Sequence, residues 1–374
     1  MVKVLITNAT IVTLSRKHDL IINNGYVFIN DGVIRAVGSG EVPEELQYPE
    51  LLISGRGRVV IPGISSGYTK VSTYPIRHVL HSLGEDKVFE YLSTLSRVDV
   101  YYSAVLAFTD LLYRGVTSMM ISDIYLDDVA RAANDVGVSV VLASPLNIKL
   151  RDYDPHHELK LIMQRWHNRV DNVLGAIAFY GDLRGSNSVL DEYPEGKVFV
   201  IGADDLNSLK NLGRDNVIAI DPIKESPAEL NIIRTHKTLG MWKPFQGFGI
   251  GDSATYDVFD MLRVLARSGR NGLDLLYSAA TNTASMIGLD NLSCIEEGKK
   301  ANIVIYNFTE PPAWPLINSI EAVTNALIMS ELKVETAIVG DNVLVDSGEV
   351  LSVGADLIKK ATTRLESIIR GFIK

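Results

Sequence analysis

The 374-residue chain has one cysteine, Cys294, so no disulfide can form within it and no thiolate-rich zinc site can be built. It has few basic residues: 36 Lys and Arg against 45 Asp and Glu give a net charge of −9. That balance argues against general nucleic-acid binding or attachment to an anionic membrane, since both need basic surface. No apolar run reaches the roughly 18 residues of a membrane span, and Thr7, Asn8 and Thr10 interrupt the N-terminal segment where a signal peptide needs a continuous apolar core. A reducing cytoplasm is the expected compartment. Histidine is also sparse, at seven residues. What remains is an ordinary globular balance, 47% hydrophobic and 22% charged, over a length that suggests two domains or one barrel with an appendage.

Three strand patterns open the chain. β-branched residues dominate 4–13, Asn24-Gly25 marks a hairpin between two apolar runs, and Asp31-Gly32 precedes a further strand at 33–38. From 59 to about 250 the pattern alternates. Apolar runs at 59–64, 117–121, 138–143, 173–179, 198–201, 217–220, 239–242 and 248–250 are separated by helical periodicity, for instance at 105–113, 126–136, 204–212 and 227–236. Runs buried on both faces and alternating with helices imply a parallel sheet, and eight of them fit a closed (β/α)8 barrel. Amphipathic helices follow at 256–268 and 271–287, strands return at 303–306, 334–339 and 343–345, and a helix at 356–372 ends the sequence. The expected architecture is a TIM-like barrel at 59–302, a small β-sandwich domain assembled from 1–58 and 303–354, and a terminal helix over 355–374.

Particular segments resemble the amidohydrolase superfamily, in its chlorohydrolase and cytosine-deaminase-like branch. ITNATIVTL (6–14), NNGYVFINDGVIRAVG (23–38) and GRGRVVIPG (55–63) are similar to the opening of such proteins. SAATNTASMIGLDNLSCIEEGKKANIVIYN (278–307) and ETAIVGDNVLVDSGEVLSV (335–353) are similar to their close. LLYRGVTSMMISDIY (111–125) resembles the second barrel strand and the helix before it, and FGIGDSATYDVFDMLRVLA (248–266) the eighth strand and the helix beyond. The likeness is weak between 151 and 246. It implies hydrolysis of C–N or C–Cl bonds in heterocycles and amidines, with zinc or iron lowering the pKa of a bound water. A small-molecule substrate and a homodimer go with it.

The resemblance also says where ligands should stand, and the chain departs there. A histidine-x-histidine pair should end the first strand, both imidazoles on one face. Tyr68 and Lys70 occupy those places in Pro62-Gly63-Ile64-Ser65-Ser66-Gly67-Tyr68-Thr69-Lys70. A phenol coordinates only when ionised, and an ammonium has no lone pair. At the fifth strand Ile201 replaces the expected histidine and Asp204 approximates a glutamate acid/base. At the sixth, Asp221 replaces a histidine; at the eighth, the aspartate is kept as Asp252. The substrate loop between strands seven and eight is reduced to 243–247. No metal or other cofactor is therefore expected, with Lys70 pairing to Asp252 in the ion's place. An oxygen-rich magnesium or manganese site from Asp204, Asp221 and Asp252 is the alternative.

Other candidates have plainer readings. His78 and His81 share a helix face by i, i+3 spacing, but a connecting-helix role is the simpler reading. His156-His157, His167, His236 and His18 read as loop or structural residues, and Gly247-Phe248-Gly249-Ile250-Gly251 lacks the context of a phosphate loop and suits close packing. Cys294 reads as a packed residue and Asp123 as a pocket or helix-capping residue. Two functional readings follow. One is a metal-independent hydrolase using Lys70, Tyr68, Asp204, Asp221 and Asp252 for proton transfer, with a desolvated lysine of lowered pKa. The other is a catalytically silent ligand-binding or assembly protein on the same scaffold.

Overall fold

The computed structural model describes residues 2–181, 183, 187–204, 206–210, 214–223, 230–238 and 246–372. Its barrel is one parallel eight-stranded sheet whose neighbours follow chain order. The strands are Ile64–Thr69, Val116–Ile121, Ser139–Pro145, Val173–Tyr180, Val198–Ile201, Val217–Ile220, Asn231–Arg234 and Gly247–Phe248. Beyond the eighth, Gly251 N–H donates to Tyr68 O at 2.8 Å and accepts from Lys70 N–H at 2.9 Å through its own carbonyl, closing the ring against the first. Gly249 permits that approach, because a Cβ there would stand 2.8 Å from the Tyr68 nitrogen.

Side-chain alternation sorts the apolar runs. In Val198–Ile201 and Val217–Ile220, Phe199, Ile201, Ile218 and Ile220 fill the barrel interior with Met120, Val141, Ala176 and Ala178. Val198, Val200, Val217 and Ala219 face outward instead, against Leu206 and Leu209 of the helix Leu206–Lys210. Helix Arg97–Tyr113 begins earlier than its apolar pattern suggested because Ser96 and Asp99 form a reciprocal capping box. Helix Leu126–Val136 matches its reading and ends on Gly137 at φ 92°.

The small domain is one sheet of nine strands drawn from both ends of the chain. Its spine pairs Asn302–Asn307 antiparallel to Arg58–Pro62, which runs parallel to Lys3–Val12. Val4, Ile6, Ile11, Val60, Ile303, Ile305 and Ile338 form its core. The C-terminal helix Ala355–Phe372 packs along Arg97–Tyr113, with Arg364 paired to the buried Asp99. Among the described residues, no helix is long and apolar enough to cross a membrane.

Three strand expectations need correction. The run 59–64 is two strands: Arg58–Pro62 belongs to the small sheet, Gly63 turns the chain, and Ile64 starts the barrel. The seventh strand is Asn231–Arg234, inside the segment read as helix 227–236; a four-residue strand with adjacent buried Ile232 and Ile233 carries too little period to tell from a helical turn. The run 239–242 assigned to that strand lies outside the described residues, as does most of the short loop at 243–247. The eighth strand is Gly247–Phe248, slightly ahead of the 248–250 reading.

Candidate functional site

The first strand sends Tyr68 into the barrel interior, and the two-residue period carries Lys70 to the same side at its mouth. Lys70 is fixed through its backbone from three directions. Its N–H bonds Gly251, its carbonyl accepts the Tyr256 hydroxyl, and the next two N–H groups, of Val71 and Ser72, donate to Asp123 Oδ2 at 2.8 Å each. Asp123 Oδ1 accepts from Ser72 Oγ at 2.6 Å and Ile124 N–H at 2.8 Å. This carboxylate is 4% exposed and makes four hydrogen bonds, so it braces the loop after the first strand. Tyr256, wholly buried, also meets Tyr74 edge-on at 4.9 Å. Tyr256→Phe is expected to cost about 1–2 kcal/mol in urea unfolding, because the Lys70 carbonyl loses its donor while the ring packing survives.

Tyr180, at the end of the fourth strand, completes the mouth. Its ring centroid lies 5.3 Å from Lys70 Nζ and its hydroxyl 3.3 Å from that of Tyr68. Asn147 holds it by exchanging hydrogen bonds with the Tyr180 backbone N–H and C=O, at 2.9 and 2.7 Å. Burial first, then Tyr180 and Asp252, raise the Tyr68 phenol well above its ordinary pKa, so it remains protonated. For Lys70, burial acts to lower the pKa, but Tyr180, Asp123 and Asp252 outweigh it and the value is raised. The lowered lysine pKa expected for a base is not the direction found: burial pushes Lys70 down, but its neighbours push it up further, toward the ammonium form.

The aspartates divide. Asp252 shares this end of the barrel and its charge acts on both Lys70 and Tyr68, but no direct ion pair joins it to Lys70 among the described residues. The expected Lys70–Asp252 pair is thus absent, and Asp123 shares the task of compensating the ammonium. Asp221 adopts a left-handed φ of 45° and spends its carboxylate on the turn after the seventh strand, accepting from Thr235 N–H at 2.9 Å and from the Thr235 and Thr238 hydroxyls. Asp204 is exposed beyond the fifth strand. The structure therefore brings Tyr68 and Lys70 together beside the eighth-strand end that carries Asp252, while Asp221 is engaged by Thr235 and Thr238 and Asp204 is exposed.

Tyr180 and Asn147 were not singled out from sequence. The parity of the fourth strand is the signal that finds Tyr180, since Ala176 and Ala178 point inward. Four of the histidines take plain roles. His18 pairs with Glu297 at 2.6 Å, His167 Nδ1 accepts the Gly175 N–H at 2.9 Å, and the backbone N–H groups of His156 and His157 are capped by Asp154. Burial raises the Cys294 thiol. Among the described residues, no three His, Cys, Asp or Glu side chains group closely enough to hold a metal ion.

No protein-family profile matches the chain. Curated relatives do. A 5-methylthioadenosine/S-adenosylhomocysteine deaminase of Thermoanaerobacter pseudethanolicus is 21% identical over 424 residues, spanning 95% of this chain and 96% of that protein. Another of that name, from Halothermothrix orenii, is 27% identical over 180 residues, 45% of this chain and 41% of that protein. Among solved structures, an adenosine deaminase from Xanthomonas campestris with bound zinc superposes with a TM-score of 0.83 at 17% identity over 98% of both chains. A zinc complex of atrazine chlorohydrolase from Arthrobacter aurescens gives 0.81 at 16% identity over 98% of this chain and 100% of that one. The chain shares the fold of these solved structures and is similar in sequence to the named deaminases, as members of the amidohydrolase superfamily are. Its likeness lies in the deaminase and chlorohydrolase-like branch. At this end of its barrel the chain presents the Lys70 ammonium and the phenols of Tyr68 and Tyr180, with Asp252 following the eighth strand.

Proposed function

We propose that this amidohydrolase-fold chain binds a small molecule at the barrel mouth and does not hydrolyse it with a metal-activated water. The observation that carries the reading is Lys70, an ammonium at the end of the first strand where the resemblance calls for an imidazole ligand. The remaining donor set does not fit a transition-metal centre either. Tyr68 is held in its protonated form, Ile201 offers no donor, and both oxygens of Asp221 are engaged by Thr235 and Thr238. Proton transfer by the first-strand residues is also disfavoured, since the raised pKa values of Lys70 and Tyr68 leave neither as a base near neutrality. The relatives are named deaminases and chlorohydrolases; for this chain the ligand-binding reading is preferred to either activity.

The test is elemental analysis of protein purified without chelators, combined with turnover assays on adenosine, 5-methylthioadenosine and atrazine, with and without added zinc, iron or manganese. The expected result is no stoichiometric transition metal and no metal-stimulated turnover. One equivalent of bound metal, or hydrolysis that rises with added metal, overturns the proposal.

A further inference from the structure

At the opposite end of the barrel, where the strands begin, a cavity of about 430 Å³ is lined by Ser139 and Leu174 of the third and fourth strands, by the turn at 288–292 and by Lys300. Ser139 opens the third strand and shares the inward side of Val141 and Ala143. It is 1% exposed, and its hydroxyl has no hydrogen-bond partner among the described residues. Its strand neighbour Ser118 differs, since that hydroxyl bonds Ser65 at 2.6 Å. A buried hydroxyl left unpaired beside a cavity is costly unless something in the cavity completes it.

Lys300 supplies a second underused group. Its backbone is tied to the small sheet on either side, with Ile34 N–H donating to Lys299 O at 2.9 Å and Ala301 N–H to Gly32 O at 2.8 Å. Its stem crosses Gly340, where a Cβ would stand 3.2 Å from Lys300 Cε, and its Nζ donates to the Asp171 carbonyl at 3.3 Å. Asp171 also lines the cavity, and among the described residues no carboxylate lies within ion-pair distance of the amine. Asn172 joins the two groups. Its carbonyl accepts from Val140 N–H at 2.7 Å and its side chain donates to Val138 O at 2.8 Å, one residue to either side of Ser139. The charges of Asp171 and Asp341 act on Lys300 through space, but burial outweighs them and lowers its pKa. A half-buried lysine held in this way keeps a larger share of neutral amine, and a neutral amine attacks carbonyl carbon.

We propose that this cavity is a second site, separate from the mouth, in which Lys300 captures a small hydroxylated aldehyde as an imine while Ser139 hydrogen-bonds a hydroxyl of it. The lysine nitrogen adds to the carbonyl carbon; the carbonyl oxygen then leaves as water with the two amine hydrogens as C=N forms. The probe is glyceraldehyde, with propanal as the analogue of the same carbon skeleton that lacks the hydroxyls. Cyanoborohydride delivers hydride to the imine and fixes it as a secondary amine, and peptide mapping of the full chain at neutral pH reads each lysine. Exposed Lys149 is the reference in the same digest. Lys300 is expected to reach half its limiting labelling rate at a glyceraldehyde concentration at least about ten-fold below that for Lys149. It should prefer glyceraldehyde to propanal by about five-fold, the scale of one hydrogen bond, and Ser139→Ala should remove that preference. Lys300→Arg keeps a donor for the Asp171 carbonyl and should lose the fast adduct.

Labelling of Lys300 with the concentration dependence of Lys149 overturns the inference. So does equal labelling of Lys300 by the two aldehydes in the unaltered chain, which would mean that water and not a ligand completes Ser139. Neither result needs a variant to fold. Both leave the reading of the mouth untouched, since that reading is tested by metal content and turnover.

Discussion

Asp123→Ala is expected to destabilise the protein by about 3–5 kcal/mol, among the largest effects of any single side-chain truncation in it. The carboxylate is almost wholly buried and accepts from three backbone N–H groups and one hydroxyl. Alanine leaves the N–H groups of Val71, Ser72 and Ile124 without acceptors in a space too closed for water to replace them all. Asparagine is no remedy. Whichever way its amide turns, an NH2 donor faces either the Val71 and Ser72 N–H pair or the donors from Ser72 Oγ and Ile124. Urea unfolding checks the prediction: an Asp123→Ala loss below about 1 kcal/mol would mean that the loop after the first strand is not braced in this way. The same substitution removes one of the charges that raise the Lys70 pKa, so that pKa should fall in the variant. A lysine-directed reagent used at constant pH should then label Lys70 faster.

Asp123 also marks how far the sequence was legible. Its position at the end of the second strand could be read, but whether it faced the pocket or served as a local brace depended on the path of 70–72, which no local pattern encodes. Asp221 is similar. The sequence places it one residue past the sixth strand, as the structure does, yet its fate is set by Thr235, in a segment misread as helical, and by Thr238 just beyond, fourteen and seventeen residues on. Strands buried on both faces were legible even at four residues, because every member is apolar: Val198–Ile201 and Val217–Ile220 fall where expected. Short strands with polar or charged members were not, and Asn231–Arg234, with its buried Arg234, is the clearest case. The identities of Tyr68 and Lys70 gave the departure from the family pattern directly. Their protonation states came only from the neighbours that the fold brings to them, Tyr180 above all.

Gly63→Ala should be nearly as damaging, at about 3–4 kcal/mol, and for a steric reason that apolar patterning cannot express. Gly63 links Pro62, the last residue of a small-sheet strand, to Ile64, the first of the barrel. A Cβ at this position would lie 2.0 Å from Thr117 Oγ1 and 2.4 Å from Asn302 Oδ1. Those two atoms form a buried hydrogen bond of 2.6 Å between the second barrel strand and the returning strand of the small sheet, and Asn302 also donates to the Leu292 carbonyl at 3.0 Å. The methyl can be admitted only by parting that pair or by moving the backbone. The expected cost therefore combines overpacking, about 1–3 kcal/mol, with the loss of a buried polar contact, about 1–3 kcal/mol. Gly84→Ala is the matched control, since nothing lies within 4 Å of a Cβ there and its φ of −73° suits any residue. Because Gly84 is the N-cap of helix Glu85–Thr94, where alanine caps less well than glycine, the change should cost no more than about 1 kcal/mol. Because the seam fixes the first strand five residues before Tyr68, the Gly63→Ala chain, where it folds, should also bind mouth ligands more weakly than the Gly84→Ala chain. Equal stability of the two variants in urea would show that the seam between the sheets tolerates a side chain, and that the glycine is not what sets the entry into the barrel.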